Sequence, residues 1–326
     1  MARRLPVELE LYILELALSP IKWWTTGHRD AVIECRERLK RFSLVDRAWT
    51  RVAQRELFSF LRISVPLRTA LRAGVERSKA ISRKGWRVRA LELVVPDEVR
   101  KVYGKNWEYV LAVRARLQPV AEAVQELSLQ WRWRGEDTDL LRDFLDLKRL
   151  SLFASGDMGE IFAVSFVPST LTYLHLRGVD YADYDDPFPI LPHLEVLLLE
   201  HLDLTGSDLT LDVLLSTPAL RVFACKNICS IGEELSDVLS SAPSTLEHVL
   251  LAITAGDEPD DFLGAVDALP SAPKTLMVVV DNHAIMDEDA REMLMEWCCA
   301  KEVKGRIQKV ESVGTFDLAG WAAELA

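Results

Sequence analysis

The chain has 326 residues, of which 49% are hydrophobic, and its formal net charge is −11. This apolar content is sufficient for a large core, so the composition excludes a disordered chain. No stretch approaches the roughly 18 uninterrupted apolar residues of a membrane-spanning helix. Glutamates interrupt the apolar N-terminal stretch, which argues against a signal peptide. We therefore expect a folded, soluble protein that has no membrane partner.

The charge is divided unevenly along the chain. Residues 1–117 contain 25 Lys and Arg against 13 Asp and Glu, a net charge of +12, whereas the remaining residues have a net charge of −23. An acidic surface repels phosphates, so nucleic acid is a poor partner. Two interpretations stay open: both halves have ordinary solvated surfaces, or the acidic half attracts a basic partner.

The sequence carries no pattern typical of an enzyme or a metal site. It lacks a phosphate-binding glycine loop, a nucleophile elbow and an HExxH motif, so we expect no catalysis, no cofactor and no metal. The cysteines are odd in number and lack metal-ligand spacing, which predicts reduced thiols in the cytoplasm or nucleus. They are Cys35, Cys225, Cys229, Cys298 and Cys299.

Three amphipathic segments occupy the first 62 residues. Residues 5–18 begin with Pro6 near the start and place apolar side chains on one helical face. Residues 32–42 and 49–60 have similar spacings and predict two more helices. A module of this size is marginally stable alone, so a partner or a flanking domain is expected to stabilise it.

This N-terminal segment resembles the F-box. The resemblance covers about residues 4–60 and consists of Leu5-Pro6-Val7-Glu8-Leu9 with Ile13-Leu14, then Leu39-Lys40-Arg41-Phe42-Ser43-Leu44-Val45-Asp46-Arg47-Ala48-Trp49, and finally Ala53 with Leu57-Phe58. The longer insertion Ser19–Arg29 departs from the family pattern. The resemblance implies binding to the Skp-type adaptor of a cullin-RING ubiquitin ligase, while the following domain selects the substrate.

The resemblance also implies which residues contact the adaptor. An alternative stays open, in which the same side chains only pack the helical core, because burying each large one stabilises the fold by roughly 1.5–3 kcal/mol. The implied adaptor-binding residues are Leu5, Pro6, Leu9, Ile13, Leu44, Val45 and Trp49.

A repeat dominates the rest of the chain, residues 87–326, after a helical linker predicted at residues 63–86. Apolar triplets that alternate in β fashion have first members separated by 23, 24, 23, 26, 26 and 29 residues. The triplets are Leu127-Ser128-Leu129, Leu150-Ser151-Leu152, Leu174-His175-Leu176, Leu197-Leu198-Leu199, Phe223-Ala224-Cys225, Val249-Leu250-Leu251 and Val278-Val279-Val280.

Prolines and helical periodicity mark the segments between these triplets. Five prolines each fall five or six residues before the next triplet, and proline ends a helix and favours an extended residue before it. Helices are predicted at 109–124, 208–215, 233–239, 260–269 and 287–298, and a closing helix at 317–325. An additional early strand is predicted at 89–95 and a last strand at 307–311.

These units resemble the leucine-rich repeat, whose motif is LxxLxLxxNxL. Residues 171–181 and 194–204 fit this frame, whereas Val179, Leu202 and Ile228 replace the motif's asparagine. The fold class expected is therefore α/β: a three-helix F-box-like module followed by a curved leucine-rich-repeat solenoid, with parallel strands on the concave face and helices on the convex face.

Side chains that flank the buried pair of each strand are expected on the concave face, because side chains alternate along a strand. Aromatic, basic and polar residues in this column are typical of protein interfaces. The predicted substrate-binding residues are Gln130, Arg149, Tyr173, His175, Arg177, Glu200, Lys226 and His248. The same column contains Ser128, Ser151, Phe153, Leu198, Ala224 and Leu250, of which Leu198 and Leu250 are candidates for cover by neighbouring structure.

The sequence therefore predicts a binding protein: the substrate-recognition subunit of an SCF-type cullin-RING ubiquitin ligase. Its partners would be the Skp-type adaptor and a target protein that the sequence does not identify. The alternative is a leucine-rich-repeat scaffold whose N-terminal helices only cap the first repeat.

Overall fold

The structure is a computed structural model that describes a defined part of the chain. The described residues are 37, 39–41, 50, 53–54, 59–64, 76, 80, 87–94, 117–118, 121–130, 141, 143–157, 168–180, 190–201, 214–226, 232–253, 259–281 and 288–325. Within them, one α/β fold is built on a ten-stranded sheet in which every strand is parallel to its neighbours.

The strands lie side by side in the order in which they occur along the chain. They are β1 (Phe60–Ser64), β2 (Ala90–Val94), β3 (Glu126–Gln130), β4 (Arg149–Asp157), β5 (Tyr173–Asp180), β6 (Val196–Glu200), β7 (Val222–Lys226), β8 (His248–Ile253), β9 (Thr275–Asp281) and β10 (Lys304–Val310). The helices bounded within the described residues are α1 (Gly232–Ser240), α2 (Pro259–Asp267), α3 (Glu288–Ala300) and α4 (Leu318–Leu325).

The repeat predicted from the apolar triplets is confirmed as a run of parallel strands. Each of the seven triplets lies in one strand from β3 to β9, and the strand predicted at 89–95 is β2. The last strand begins at Lys304, three residues before its predicted start. Helices α1, α2, α3 and α4 confirm the four segments predicted near the C-terminus.

The first strand was not predicted. The sequence predicts Phe60 in the third helix and a helical linker at residues 63–86, but Phe60–Ser64 forms β1 and pairs in parallel with Ala90–Val94. The assignment of Phe60 and of residues 63 and 64 was therefore wrong. The physical reason is that Phe60, Leu61 and Ile63 are all buried, and a helical spacing of apolar residues does not exclude a strand when the segment is this short.

Neighbouring strands start at the same level because the same pair of main-chain hydrogen bonds recurs at the start of each strand. The carbonyl of Gln125 accepts hydrogen bonds from the N–H groups of Lys148 and Arg149, and the carbonyl of Lys148 accepts from those of Thr172 and Tyr173. Equivalent pairs recur up to β9. The strands are thus aligned residue by residue, so side chains at one position form a row across the sheet.

One face of the sheet carries the main apolar core. The second and fourth residues of the aligned strands are buried on this core face, for example Leu127 and Leu129 in β3 and Phe223 and Cys225 in β7. Helices α1, α2 and α3 contribute further side chains to the same core: Leu235, Val238, Leu239, Ala265, Val266, Leu294 and Cys298. These three helices therefore lie on the core face.

The opposite face, called the outer face below, carries the first, third and fifth residues of the aligned strands. Helix α4 packs on this face, since Leu318, Ala319 and Ala322 share a second apolar cluster with Leu198 and Leu250. Asp317 caps α4 by accepting a hydrogen bond from the N–H of Gly320 at 3.0 Å. The chain thus returns after β10 to cover part of the sheet.

The seven predicted adaptor-binding residues, Leu5 to Trp49, lie outside the described residues. Positions 37, 39–41, 50, 53 and 54 are helical, and the Leu39 and Ala53 side chains are buried. No helix within the described ranges has both the length and the apolar character needed to cross a bilayer.

Candidate binding face

The outer face is divided into an apolar part and a polar part. In β6 to β9 it consists mainly of apolar side chains, which belong to one buried cluster with the C-terminal segment. In β3 to β5 the aligned positions are mostly polar or charged and include Ser128, Ser151 and Arg177. The apolar side chains are Val196, Leu198, Val222, Ala224, Leu250, Ala252, Met277 and Val279.

The C-terminal segment, defined here as residues 311–325, covers the apolar part. Val313, Leu318, Ala319 and Ala322 are buried against it. The expectation that Leu198 and Leu250 are covered is confirmed, because both are fully buried. Cover of this kind follows from the cost of leaving large apolar side chains in water.

Four of the predicted substrate-binding residues are also buried. Tyr173, His175, Glu200 and Lys226 are each at most 4% exposed. The expectation that these side chains lie on an open face was therefore wrong. The C-terminal segment covers Tyr173 and Lys226, where the prediction placed a partner protein.

The buried carboxylate of Glu200 lies close to three basic side chains, those of His175, Arg177 and Lys226. Glu200 Oε1 lies 3.3 Å from His175 Nε2, while Glu200 Oε2 lies 3.3 Å from Lys226 Nζ and 3.5 Å from Arg177 Nε. Strands β5, β6 and β7 place them together, because Arg177, Glu200 and Lys226 occupy the same row. We call these four residues the Glu200 cluster.

The cluster keeps Glu200 ionised. Burial alone would raise the pKa of Glu200, but His175, Lys226 and Arg177 together outweigh burial and lower the pKa to about 2. Glu200 therefore carries a negative charge throughout the physiological pH range. It provides the counter-charge that allows Lys226 to be buried.

Lys226 also binds the C-terminal segment directly. Its ammonium donates hydrogen bonds to the carbonyl oxygens of Gly314, at 3.3 Å, and Phe316, at 2.9 Å. These contacts join β7 to a segment about 90 residues later in the chain. The lysine thus links the charged cluster to the cover over the apolar part.

A second charged group lies at the N-terminal ends of strands β3 to β5. The guanidinium carbon of Arg149 lies 4.1 Å from the centre of the Tyr173 ring, a cation–π geometry. Glu126 is paired with Arg149 in register between β3 and β4. Burial raises the pKa of Glu126 to about 7, although Arg149 and Arg89 oppose the shift.

Glu126 should therefore destabilise the fold at alkaline pH. A carboxyl with a raised pKa in the folded state costs nothing below its ordinary pKa, and the cost is complete above the folded value of about 7. Glu126→Gln should raise the free energy of unfolding by about 1–2 kcal/mol at pH 8 and by much less at pH 5.

Urea unfolding at the two pH values would test this, with Glu122→Gln as the matched control, since Glu122 is exposed one turn away. An equal effect of Glu126→Gln at pH 5 and pH 8 would contradict the explanation.

The other predicted residues remain accessible to different degrees. Arg177 is 47% exposed, and Gln130, Arg149 and His248 are half-buried. His248 lies apart in β8, where its Nδ1 is 2.8 Å from the hydroxyl of Thr275. The structure thus brings together the residues of β4 to β7 and leaves His248 outside the group.

The sequence prediction does not include Glu126, and it places Phe153 in the concave-face column without naming it among the binding residues. Glu126 is detectable only after the register places it beside Arg149. Phe153 belongs to the row of Gln130 and Arg177, is half-buried, and has its ring centre 6.0 Å from the guanidinium carbon of Arg177. It also meets the His175 ring edge-on at 5.3 Å.

Comparisons with protein-family models and with curated proteins find no match to this chain. The F-box and leucine-rich-repeat resemblances therefore depend on the residues quoted from the sequence. Within the described ranges, no three His, Cys, Asp or Glu side chains are grouped so that they could hold a metal ion.

Proposed function

We propose that this chain is the substrate-recognition subunit of an SCF-type cullin-RING ubiquitin ligase. Residues 1–62 would bind the Skp-type adaptor through the F-box-like motif, and residues 87–326 would bind the target protein. Target binding is supported by the polar part of the outer face. There Gln130, Phe153 and Arg177 lie beside the covered part.

The finer fold belongs to the same proposal. Parallel strands that follow one another at intervals of 23–29 residues are typical of leucine-rich repeats, in which the sheet curves and its strands line the concave face. The outer face would then be the concave face. The aligned rows on this face would present aromatic and arginine side chains to a partner, and both types are enriched at protein interfaces.

In this function the chain itself carries out no chemistry. It would hold the target near an enzyme that partners supply, so that ubiquitin transfer becomes effectively intramolecular. Ubiquitin ligases of this type act in the cytoplasm and nucleus, where we place the protein. Reduced Cys225, Cys298 and Cys299, which form no disulfide, accord with that location.

One observation favours the alternative of a repeat scaffold that meets no adaptor. The strand β1 begins at Phe60, directly where the F-box-like segment ends, and pairs with β2. The helices before β1 could therefore serve as an N-terminal cap of the sheet, which repeat proteins require.

Adaptor capture separates the two functions. The tagged full chain should co-purify with the Skp-type adaptor, and a Leu5→Ala/Pro6→Ala variant should retain roughly a tenth or less of it, because losing two buried contacts at an interface costs more than 1.4 kcal/mol. Quantitative mass spectrometry of the captured proteins provides the measurement.

The matched control is Arg177→Gln, which changes the outer face and should leave adaptor capture unchanged. Each variant must first show the wild-type thermal unfolding transition. If the wild-type chain captures no adaptor, the scaffold function is correct and the ligase proposal is wrong.

A further inference from the structure

The open end of the Glu200 cluster carries more positive than negative charge. Glu200 is the one carboxylate among four residues and is shared by Lys226, Arg177 and His175. A single carboxylate cannot neutralise two permanent cations. The cluster therefore has a positive surplus within a region, residues 118–326, whose net charge is −23.

The surplus lies on Arg177 because Lys226 is enclosed. Lys226 is 2% exposed and uses its ammonium on Glu200 and two main-chain carbonyls. Arg177 is 47% exposed, and its contact to Glu200 runs through Nε at 3.5 Å. A guanidinium has five N–H donors, and among the described residues no hydrogen-bond acceptor is found for the terminal amino groups of Arg177.

The same two cations affect the pKa of a neighbouring histidine. His201 follows Glu200 at the end of β6, and its main-chain N–H donates to the Lys226 carbonyl at 2.9 Å. Burial lowers the pKa of His201, and Arg177 and Lys226 lower it further, against the opposite effect of Glu200. Within the Glu200 cluster, the two cations thus outnumber the single carboxylate.

The side chains beside Arg177 define the rest of the surface. Phe153 pairs with Arg177 in register, and Gln130 pairs with Phe153. Since neighbouring strands are about 4.8 Å apart, the row of Gln130, Phe153 and Arg177 is roughly 10 Å long. An extended peptide of about three residues spans that length at roughly 3.3 Å per residue.

We propose that Gln130, Phe153 and Arg177 bind a short extended segment of a partner protein that has an aspartate or glutamate at Arg177 and an apolar side chain at Phe153. The planar guanidinium group of an arginine can donate two parallel hydrogen bonds to one carboxylate. Gln130 would bond the main chain of the segment. This inference rests on the proposed function, in which the outer face contacts a target protein.

The charge around the row limits the segment to few acidic residues. A long acidic tract would be repelled by the net charge of −23 on residues 118–326, whereas one carboxylate at Arg177 meets a local surplus. At physiological salt the Debye length is about 8 Å, so the nearby cation dominates over distant charges. The partner motif is therefore a single acidic residue separated by one residue from an apolar one, because alternate side chains of an extended segment face the same side.

A random library of seven-residue peptides, displayed on phage and selected on the immobilised full chain, tests the inference. Enriched peptides should have one Asp or Glu separated by one residue from an apolar residue. The labelled synthetic peptide should bind at least about tenfold more weakly, by fluorescence anisotropy, when its acid is replaced by the amide or when the protein has Arg177→Gln.

Arg177→Lys should retain part of the affinity, because lysine keeps the positive charge but cannot donate the two parallel hydrogen bonds of a guanidinium. The matched control is Lys309→Gln, at an exposed position of β10, which should bind the peptide as the wild type does. Enriched peptides that lack acidic residues, equal binding to Arg177→Gln, or no enrichment at all would each overturn the inference. Adaptor capture by the same chain would be unaffected by these outcomes, so the ligase proposal fails or stands separately.

Discussion

Lys226→Met is expected to lower the free energy of unfolding by about 3–5 kcal/mol, the usual cost of removing one partner from a buried ion pair. The substitution removes the ammonium that lies 3.3 Å from Glu200 Oε2. It also removes the donor to the carbonyls of Gly314 and Phe316. Urea unfolding gives the stability, and hydrogen exchange of residues 313–325 should become faster at the same time.

The exchange measurement distinguishes a local role from a general loss of stability. Lys226 contacts the C-terminal segment, so exchange should increase there more than in strands β3 and β4, which lie outside the covered apolar part. Lys309→Met is the matched control, because Lys309 is exposed on β10 and should change stability by less than about 0.5 kcal/mol. Uniform acceleration over all strands would contradict a specific link between Lys226 and the C-terminal segment.

The strands could be predicted because their apolar residues repeat at a nearly constant interval. A triplet such as Leu127-Ser128-Leu129 buries two leucines on one face, and this period of two is available from the sequence alone. A proline before each of five strands, β5 to β9, gave a second, independent mark. The parallel arrangement follows, because each pair of successive strands is joined by a long crossover segment.

The first strand could not be predicted in the same way. Phe60–Ser64 contains Leu61 and Ile63, with Arg62 between them, but a helical pattern runs into it from residues 49–60. A helical period of 3.6 and a strand period of two both fit so few residues, so the sequence does not decide between helix and strand. Only pairing with β2, including the Arg62–Glu92 ion pair at 3.2 Å, identifies the segment as a strand.

The cover over the outer face was partly available from the sequence. In β6 the run Val196-Leu197-Leu198-Leu199 is apolar on both faces, whereas β3 and β4 alternate with serine. A strand that is apolar on both faces is typical of burial on both faces. What the sequence does not state is which segment provides the cover, because that depends on where the chain returns after β10.

The charged residues were the least predictable part of the site. His175, Glu200 and Lys226 each lie in an ordinary position of the outer face, and polar residues there are normally exposed. Register aligns Arg177, Glu200 and Lys226 in one row, and the C-terminal segment accepts hydrogen bonds from Lys226. Neither feature is local in the sequence.

The apolar part of the outer face should depend on helix α4 for its stability. Leu318 is completely buried against the cluster that includes Leu198, Leu250 and Met277. Leu318→Ala should therefore lower the free energy of unfolding by about 2–4 kcal/mol, through lost burial and the cavity that remains. Urea unfolding, with hydrogen exchange of α4 as a second measurement, would test this.

Glu324→Ala provides the matched control on the same helix, since Glu324 is exposed and alanine favours helix. It should change stability by less than about 0.5 kcal/mol. A loss below about 1 kcal/mol in Leu318→Ala would mean that α4 packs only weakly on the sheet. The cover over Tyr173 and the apolar part of the outer face would then be weak, and this part of the face, as well as the polar part, would be open to a partner.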